Sequence, residues 1–214
     1  MGLANRIVAK FTTKIWRTFG DKNFGLPIGA EILRGQKISL FQNSKKIILV
    51  LGGSQGARKL CEVVCEIATD FDANFLVQTG GDFVARKLPN LKTFDFVALQ
   101  KMGDFLASAD FVISRAGATA IAEIAAFEKS LILVPLRGHQ FWNAKFARAK
   151  NAAKILKNEN LTAKNLRAKI LEILVDENLQ KKMGANLRRN FFQKNAAEKI
   201  AAEVLKFIKN EARI

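Results

Sequence analysis

A chain of 214 residues, 49% hydrophobic and 25% charged, is long enough for one substantial domain with an extra helical piece, and its composition is not that of a disordered protein. No apolar run approaches the ~18 residues of a membrane span, and charges interrupt the basic N-terminus too often for a signal peptide. The net charge is +16, unevenly spread: residues 1–60 carry 11 Lys/Arg against 2 acids, residues 61–136 carry 6 against 10, and residues 137–214 carry 18 against 7. Such ends favour a polyanion, either nucleic acid or an anionic bilayer. A compositional bias toward Lys, Asn, Phe and Ile, with no Tyr at all, accounts for the same charge without a partner.

In chain order, residues 2–19 place Leu3, Ile7, Phe11 and Ile15 four apart, with Val8 and Trp16 widening the stripe and Lys10, Lys14 and Arg17 opposite it. This spacing predicts a basic amphipathic helix, lying on a membrane surface or packing on another domain. A glycine-rich connector fills residues 20–44. From residue 45 the pattern alternates. Strands are expected at Lys45–Leu51, Asn74–Gln78, Leu91–Phe96, Phe111–Ser114, Leu131–Val134 and Ala153–Leu156. Helices are expected at Ala57–Ala68, Lys101–Ser108, Ala118–Phe127 and Gln140–Lys150, and Thr162–Ile208 reads as two or three more. Alternation of this kind predicts an α/β fold, a doubly wound, Rossmann-like parallel sheet covered on both faces. The expected division is 1–44 for helix and connector and 45–214 for the ligand-binding domain. Cys61 and Cys65 are the only cysteines. With one His and no second Cys pair they read as buried thiols rather than half of a metal site.

Ligands of such sheets bind beyond the carboxyl ends of the strands, and three polar loops fall there. GGSQGAR supplies Gly52, Gly53, Ser54, Gln55 and Gly56 after the first strand. Its glycines permit close backbone approach and its side chains add donors, but it is neither a Walker loop nor GxGxxG. In SRAGATAIAEIAA, Ser114 and Arg115 end a strand, while Gly117, Ala118, Thr119 and Ala120 open a helix. Free N–H groups and the helix dipole favour an anion there. Glu123 lies a turn further on, where a carboxylate suits paired hydroxyls such as those of a ribose, though an ordinary exposed helix glutamate reads the same way. RGHQFWNA brings His139, Gln140 and Asn143, polar groups suited to sugar hydroxyls. No nucleophile elbow, kinase signature, metal cluster or carboxylate dyad is present, and no general base is evident.

The three loops, in this order and spacing, resemble the bacterial MurG family of N-acetylglucosaminyltransferases, which make lipid II in peptidoglycan synthesis. GLANRIVAKF also looks like a segment just past the middle of that family's chain. The resemblance implies the C-terminal, donor-binding domain of a GT-B transferase, with UDP-N-acetylglucosamine (UDP-GlcNAc) as ligand and no metal or other cofactor. It implies Glu123 on the ribose and Gly117, Ala118, Thr119 and Ala120 at the diphosphate. It puts Ser54 beside the phosphate, Arg115 in support, His139 and Gln140 on the sugar, and the backbone at Leu99 against the uracil. Ala120 stands where the family often has Thr, and Leu26 and Gly29 depart from its G-N-P-V-R stretch. The family's N-terminal domain, with the acceptor site and the catalytic base, has no counterpart in these residues. A separate acceptor subunit or a longer parent chain is expected over a degenerate remnant. The implied partners are a lipid-linked acceptor and an anionic membrane surface on the cytoplasmic face, not nucleic acid; no nucleic-acid-binding motif is present.

Overall fold

Short runs rich in β-branched and aromatic residues form six parallel strands in a computed structural model that describes residues 7–12, 15, 18–19, 24–52, 58–80 and 83–211. The strands are β1 (Ile47–Leu51), β2 (Asn74–Gln78), β3 (Leu91–Phe94), β4 (Phe111–Ser114), β5 (Ser130–Leu133) and β6 (Lys154–Ile155), in the spatial order β3-β2-β1-β4-β5-β6. The helices are α1 (Ala30–Leu33), α2 (Arg58–Ile67), α3 (Leu99–Ser108), α4 (Ala118–Ala126), α5 (His139–Ala149), α6 (Ala163–Leu174), α7 (Glu177–Phe191) and α8 (Ala196–Glu211).

Strand alternation divides the core. Ile48 and Val50 of β1 point into one layer with Leu60 and Val64 of α2 and Leu166 and Ile170 of α6. Leu49 and Leu51 point into the other, with Leu106 of α3, Ile121 and Ile124 of α4, and Ala144 and Ala147 of α5. Each Ile, Leu or Val side chain buried in this way contributes about 1.5–3 kcal/mol. Cys61 and Cys65 are buried thiols on the inner face of α2, and the Cys61 thiol donates to Gln78 O at 3.6 Å.

Two C-terminal helices start at side-chain caps: Thr162 Oγ1 accepts from Asn165 N and Asp176 Oδ1 from Leu179 N. Helix α7 crosses close to the α4–β5 turn at Gly184, where an added Cβ would lie 1.9 Å from Glu128 O. Gly184→Ala is therefore expected to destabilise the domain by about 3 kcal/mol and lower its melting temperature by roughly 9 °C, measured by calorimetry.

The N-terminal expectation needs correction. Among the described residues of 2–19 only Ile7 and Val8 are helical, closed by Lys10 N to Ile7 O and Phe11 N to Val8 O, and the others are turn, bend or coil. Residues 2–6, 13–14 and 16–17 of that predicted helix lie outside the described residues. The helical pattern does not continue past Val8, where the Thr12 hydroxyl bonds Ala9 O. Phe19 packs against Phe191 and Phe146, with ring centroids 4.8 and 6.2 Å apart. The connector then runs along α3: Ile32 is buried, Gln36 N donates to Asp104 Oδ1, Ile38 N donates to Ser108 Oγ, and Gly35 meets Gly103 backbone to backbone.

Candidate functional site

The strand order reverses direction between β1 and β4, so the chain leaves their carboxyl ends on opposite faces and opens a crevice there. Leu51 pairs with Ser114, and Arg115 N donates to Leu51 O at 3.3 Å. Ser114 in turn pairs with Leu133, and Val134 N donates to Ser114 O at 2.9 Å. The loops after β1, β4 and β5 thus emerge side by side, about 5 Å apart per strand. These are the three loops singled out in the sequence. Gly52 is buried directly after β1; Gly53, Ser54, Gln55 and Gly56 lie outside the described residues.

Helix α4 begins at Gly117, which has φ −67° and ψ 137° and no side-chain cap. The N–H groups of its first turn, at Ala118, Thr119 and Ala120, are therefore available to an anion. A Cβ at Gly117 would meet nothing within 4 Å, nor would one at Gly138, whose φ is +87°. Neither glycine is required by protein packing around its Cα, and both leave open space at the loop surface. Thr119 and Glu123 are four apart on one face of α4. Glu123 is half-buried and has no hydrogen bond or ion pair among the described residues; burial alone pushes its carboxyl above the usual range.

Arg115 points back into the protein. It is 9% exposed, and its Nη1 donates to Val134 O at 2.9 Å and to Asn158 Oδ1 at 2.8 Å. Burial lowers the guanidinium's pKa from its ordinary value. Arg115 clamps the ends of β4 and β5 to the short 3-10 helix Asn158–Asn160 after β6. Asn143 Nδ2 donates to Ala116 O at 2.9 Å, fixing α5 to the β4 loop. Gln140 Oε1 accepts from Leu136 N at 3.1 Å, which closes the β5 loop and leaves the amide nitrogen as donor. His139, the first residue of α5, is exposed beside them. Among the described residues no group of three or more His, Cys, Asp or Glu could hold a metal ion.

The model of the glycosyltransferase family 28 C-terminal domain matches residues 47–204. The chain belongs to this family. The corresponding UDP-N-acetylglucosamine–N-acetylmuramyl-(pentapeptide) pyrophosphoryl-undecaprenol N-acetylglucosamine transferases of Staphylococcus saprophyticus and Clostridium botulinum are 31% and 33% identical over 95% and 97% of this chain. The chain spans 64% of the length of each. Among solved structures, Acinetobacter baumannii MurG superposes with a TM-score of 0.75 over 96% of this chain and 64% of its own, at 24% identity. The S. aureus MnaA–UDP co-structure does so with a TM-score of 0.62 over 77% and 47%, at 12% identity. These two likenesses concern the fold, which is that of a Rossmann-like GT-B domain.

Within this family 28 domain, Leu99 is set apart from the other candidates. It opens α3, beyond the edge strand β3, and is half exposed. A Cβ on Gly29 would lie 3.2 Å from Leu99 Cδ1 and 3.3 Å from Glu31 Oε2. The departure at Gly29 is thus next to Leu99, so a larger side chain there meets Leu99 directly. Two contributors carried no sequence signal of their own. Asn158, Arg115's partner, is 43 residues away, and Gly138 reads as an ordinary turn glycine until its positive φ is seen. No helix among the described residues is long and apolar enough to cross a membrane.

Proposed function

We propose that this domain is the donor-binding half of a transferase that moves N-acetylglucosamine from UDP-GlcNAc to the lipid-linked acceptor lipid I, giving lipid II. An acceptor-binding N-terminal domain, covalent or separate, supplies the general base. The observation that carries the reading is the uncapped start of α4 at the β1/β4 crevice, with Glu123, unpartnered among the described residues, on the same helix. The helix N–H groups and dipole hold the diphosphate and stabilise the charge that develops on departing UDP. Glu123 accepts from the ribose hydroxyls, and His139 with the Gln140 amide contacts the sugar. Ser54 lies by the phosphate, and the backbone at Leu99 contacts the uracil. The close relation in sequence to transferases so named supports the choice of nucleotide sugar. The chain works at the cytoplasmic face of the plasma membrane, where a lipid-linked acceptor resides.

The test is reconstitution. The chain is mixed with the N-terminal half of the S. saprophyticus relative, and transfer of radiolabelled GlcNAc to lipid I is followed. The expected result is lipid II from the mixture and none from either half. Transfer of glucose from UDP-glucose in preference to GlcNAc would assign another sugar.

Burial of Glu123 also gives the proposed ribose contact a pH signature. The carboxylate is the accepting form, and its pKa is raised. UDP-GlcNAc affinity is therefore expected to fall as pH drops, with a midpoint above the ordinary carboxylate range. Glu123→Gln removes this dependence. Titrations between pH 4.5 and 8 measure it.

A further inference from the structure

A cleft of about 790 Å³ opens between the β5 loop, the start of α5 and the segment after β6. Its walls are residues 135–138 of the loop, Phe141 and Trp142 of α5, and residues 157–159. The strand order β3-β2-β1-β4-β5-β6 puts the cleft one step past the β5 loop, away from the β1/β4 crevice. In the proposed function the nucleotide sugar lies along that order, with the uracil toward β3 and the sugar at His139 and Gln140 after β5. The cleft is then beyond the sugar, on the side away from UDP, where direct displacement at the anomeric carbon brings the acceptor.

Arg137 and Lys157 carry the positive charge of the cleft. Arg137 is exposed and makes no ion pair among the described residues. Lys157 faces Glu159, the one acid in the lining, at 4.0 Å. Helix α5 starts at Gly138 with no side-chain cap, so the positive end of its dipole adds to the same wall. Trp142 is 63% and Phe141 40% exposed, with rings 5.9 Å apart in an edge-to-face pair. Past Phe141 and Lys157 the cleft continues into a groove of about 680 Å³ between α5 and α6, lined by Lys145, Arg148, Asn160 and Asn165. The space is therefore elongated, with its unpaired guanidinium at the end nearer the sugar.

A lone phosphate needs the cations but neither the two rings nor an elongated space. A short peptide ending in a carboxylate uses all three. A guanidinium takes a carboxylate in a two-bond fork, aromatic rings pack against apolar side chains and amide planes, and the groove admits the length of the chain. The S. saprophyticus and C. botulinum relatives are named for an N-acetylmuramyl-(pentapeptide) pyrophosphoryl-undecaprenol acceptor, which the proposed function extends to this chain. We infer that the cleft between the β5 loop and the 3-10 helix Asn158–Asn160 binds the peptide branch of the acceptor, with Arg137 on its terminal carboxylate and Trp142 against its body. This inference rests on the proposed function and gives the donor domain a part in holding the acceptor.

The test is an NMR titration of the full chain, in saturating UDP, with N-acetylmuramyl-pentapeptide, its C-terminal amide and inorganic pyrophosphate. The Trp142 indole N–H signal, assigned by its loss in Trp142→Phe, is the reporter. The expected result is a shift of that signal by the free-acid peptide, and about tenfold weaker binding of the amide. Arg137→Ala is expected to weaken the free acid about tenfold and leave the amide unchanged, a cycle that ties the guanidinium to the carboxylate. In the reconstituted mixture the same variant raises the KM for lipid I about tenfold, with kcat and the KM for UDP-GlcNAc unchanged. Calorimetry of Arg137→Ala with UDP-GlcNAc is expected to give the parent's affinity. A parent that binds the peptide but no nucleotide sugar thus fails on the donor reading and not on this one. An unmoved Trp142 signal would overturn the inference, as would equal weakening of acid and amide by Arg137→Ala. Pyrophosphate binding at the Trp142 reporter more tightly than the peptide would overturn it too, and would assign the cleft to a phosphate ligand.

Discussion

Glu123→Gln is expected to raise the melting temperature at pH 7 while weakening UDP-GlcNAc binding about tenfold, and Glu123→Ala is expected to weaken binding about 100-fold. The two effects share a cause. Burial raises the Glu123 carboxyl pKa, with no cation or donor among the described residues to offset the loss of water. A carboxylate whose folded pKa lies above its unfolded value contributes stability that is complete below the unfolded pKa and is lost as pH rises through the folded one. At neutral pH the charge therefore costs stability, and the neutral amide relieves that cost. In the proposed complex the same carboxylate accepts hydrogen bonds from two adjacent ribose hydroxyls. Bonds to a charged acceptor contribute about 1.5–3 kcal/mol each. Gln keeps an acceptor oxygen and loses the charge, whereas Ala loses both bonds. Thermal unfolding and calorimetry on the same preparations measure the two effects. A residue serving only the fold gives no such opposition of stability and binding.

Arg115→Ala is expected to act in the other direction, lowering stability by about 3 kcal/mol and the melting temperature by roughly 9 °C. The guanidinium is buried, and one nitrogen holds both Val134 O and Asn158 Oδ1. Truncation leaves these acceptors without their donor and opens a void between the ends of β4 and β5. Donor affinity falls as well, because the loops after those strands lose their common anchor. Arg115→Lys restores only part of the loss: an ammonium on a flexible stem lacks the planar guanidinium's fixed donor geometry. Urea unfolding of the two variants beside the parent gives the difference. A loss of binding without loss of stability would instead place Arg115 on the ligand.

Much of the sheet was legible because buried parallel strands read as short apolar runs. The segments IILVL, NFLVQ and FVIS became β1, β2 and β4 within two residues of their expected ends. Their order also placed the strand ends: Gly52, Arg115 and Pro135 follow the neighbouring strands β1, β4 and β5, which brings the starts of α4 and α5 to one end of the sheet. Contacts between distant segments were not legible. Helix α3 starts at Leu99 rather than Lys101, with Ala98 offering no side-chain cap to mark it. The Gly35–Gly103 approach depends on two backbones meeting, and neither glycine differs in sequence from a turn glycine. Arg115 read as a site-supporting residue, but its route through Asn158 required the fold. At the N-terminus apolar spacing reports a helix's preferred face but not where the helix stops, and the described residues after Val8 are turn, bend or coil.

The measurement that tests the central claim most directly is a calorimetric titration of the full chain with UDP-GlcNAc, beside UDP-glucose and the Glu123→Ala variant. Binding that prefers the N-acetylated sugar, and that falls about 100-fold in the variant while its fold is retained, is the predicted result. Equal binding of UDP-GlcNAc by parent and variant, or no binding by a folded chain even with the N-terminal half supplied, would contradict it.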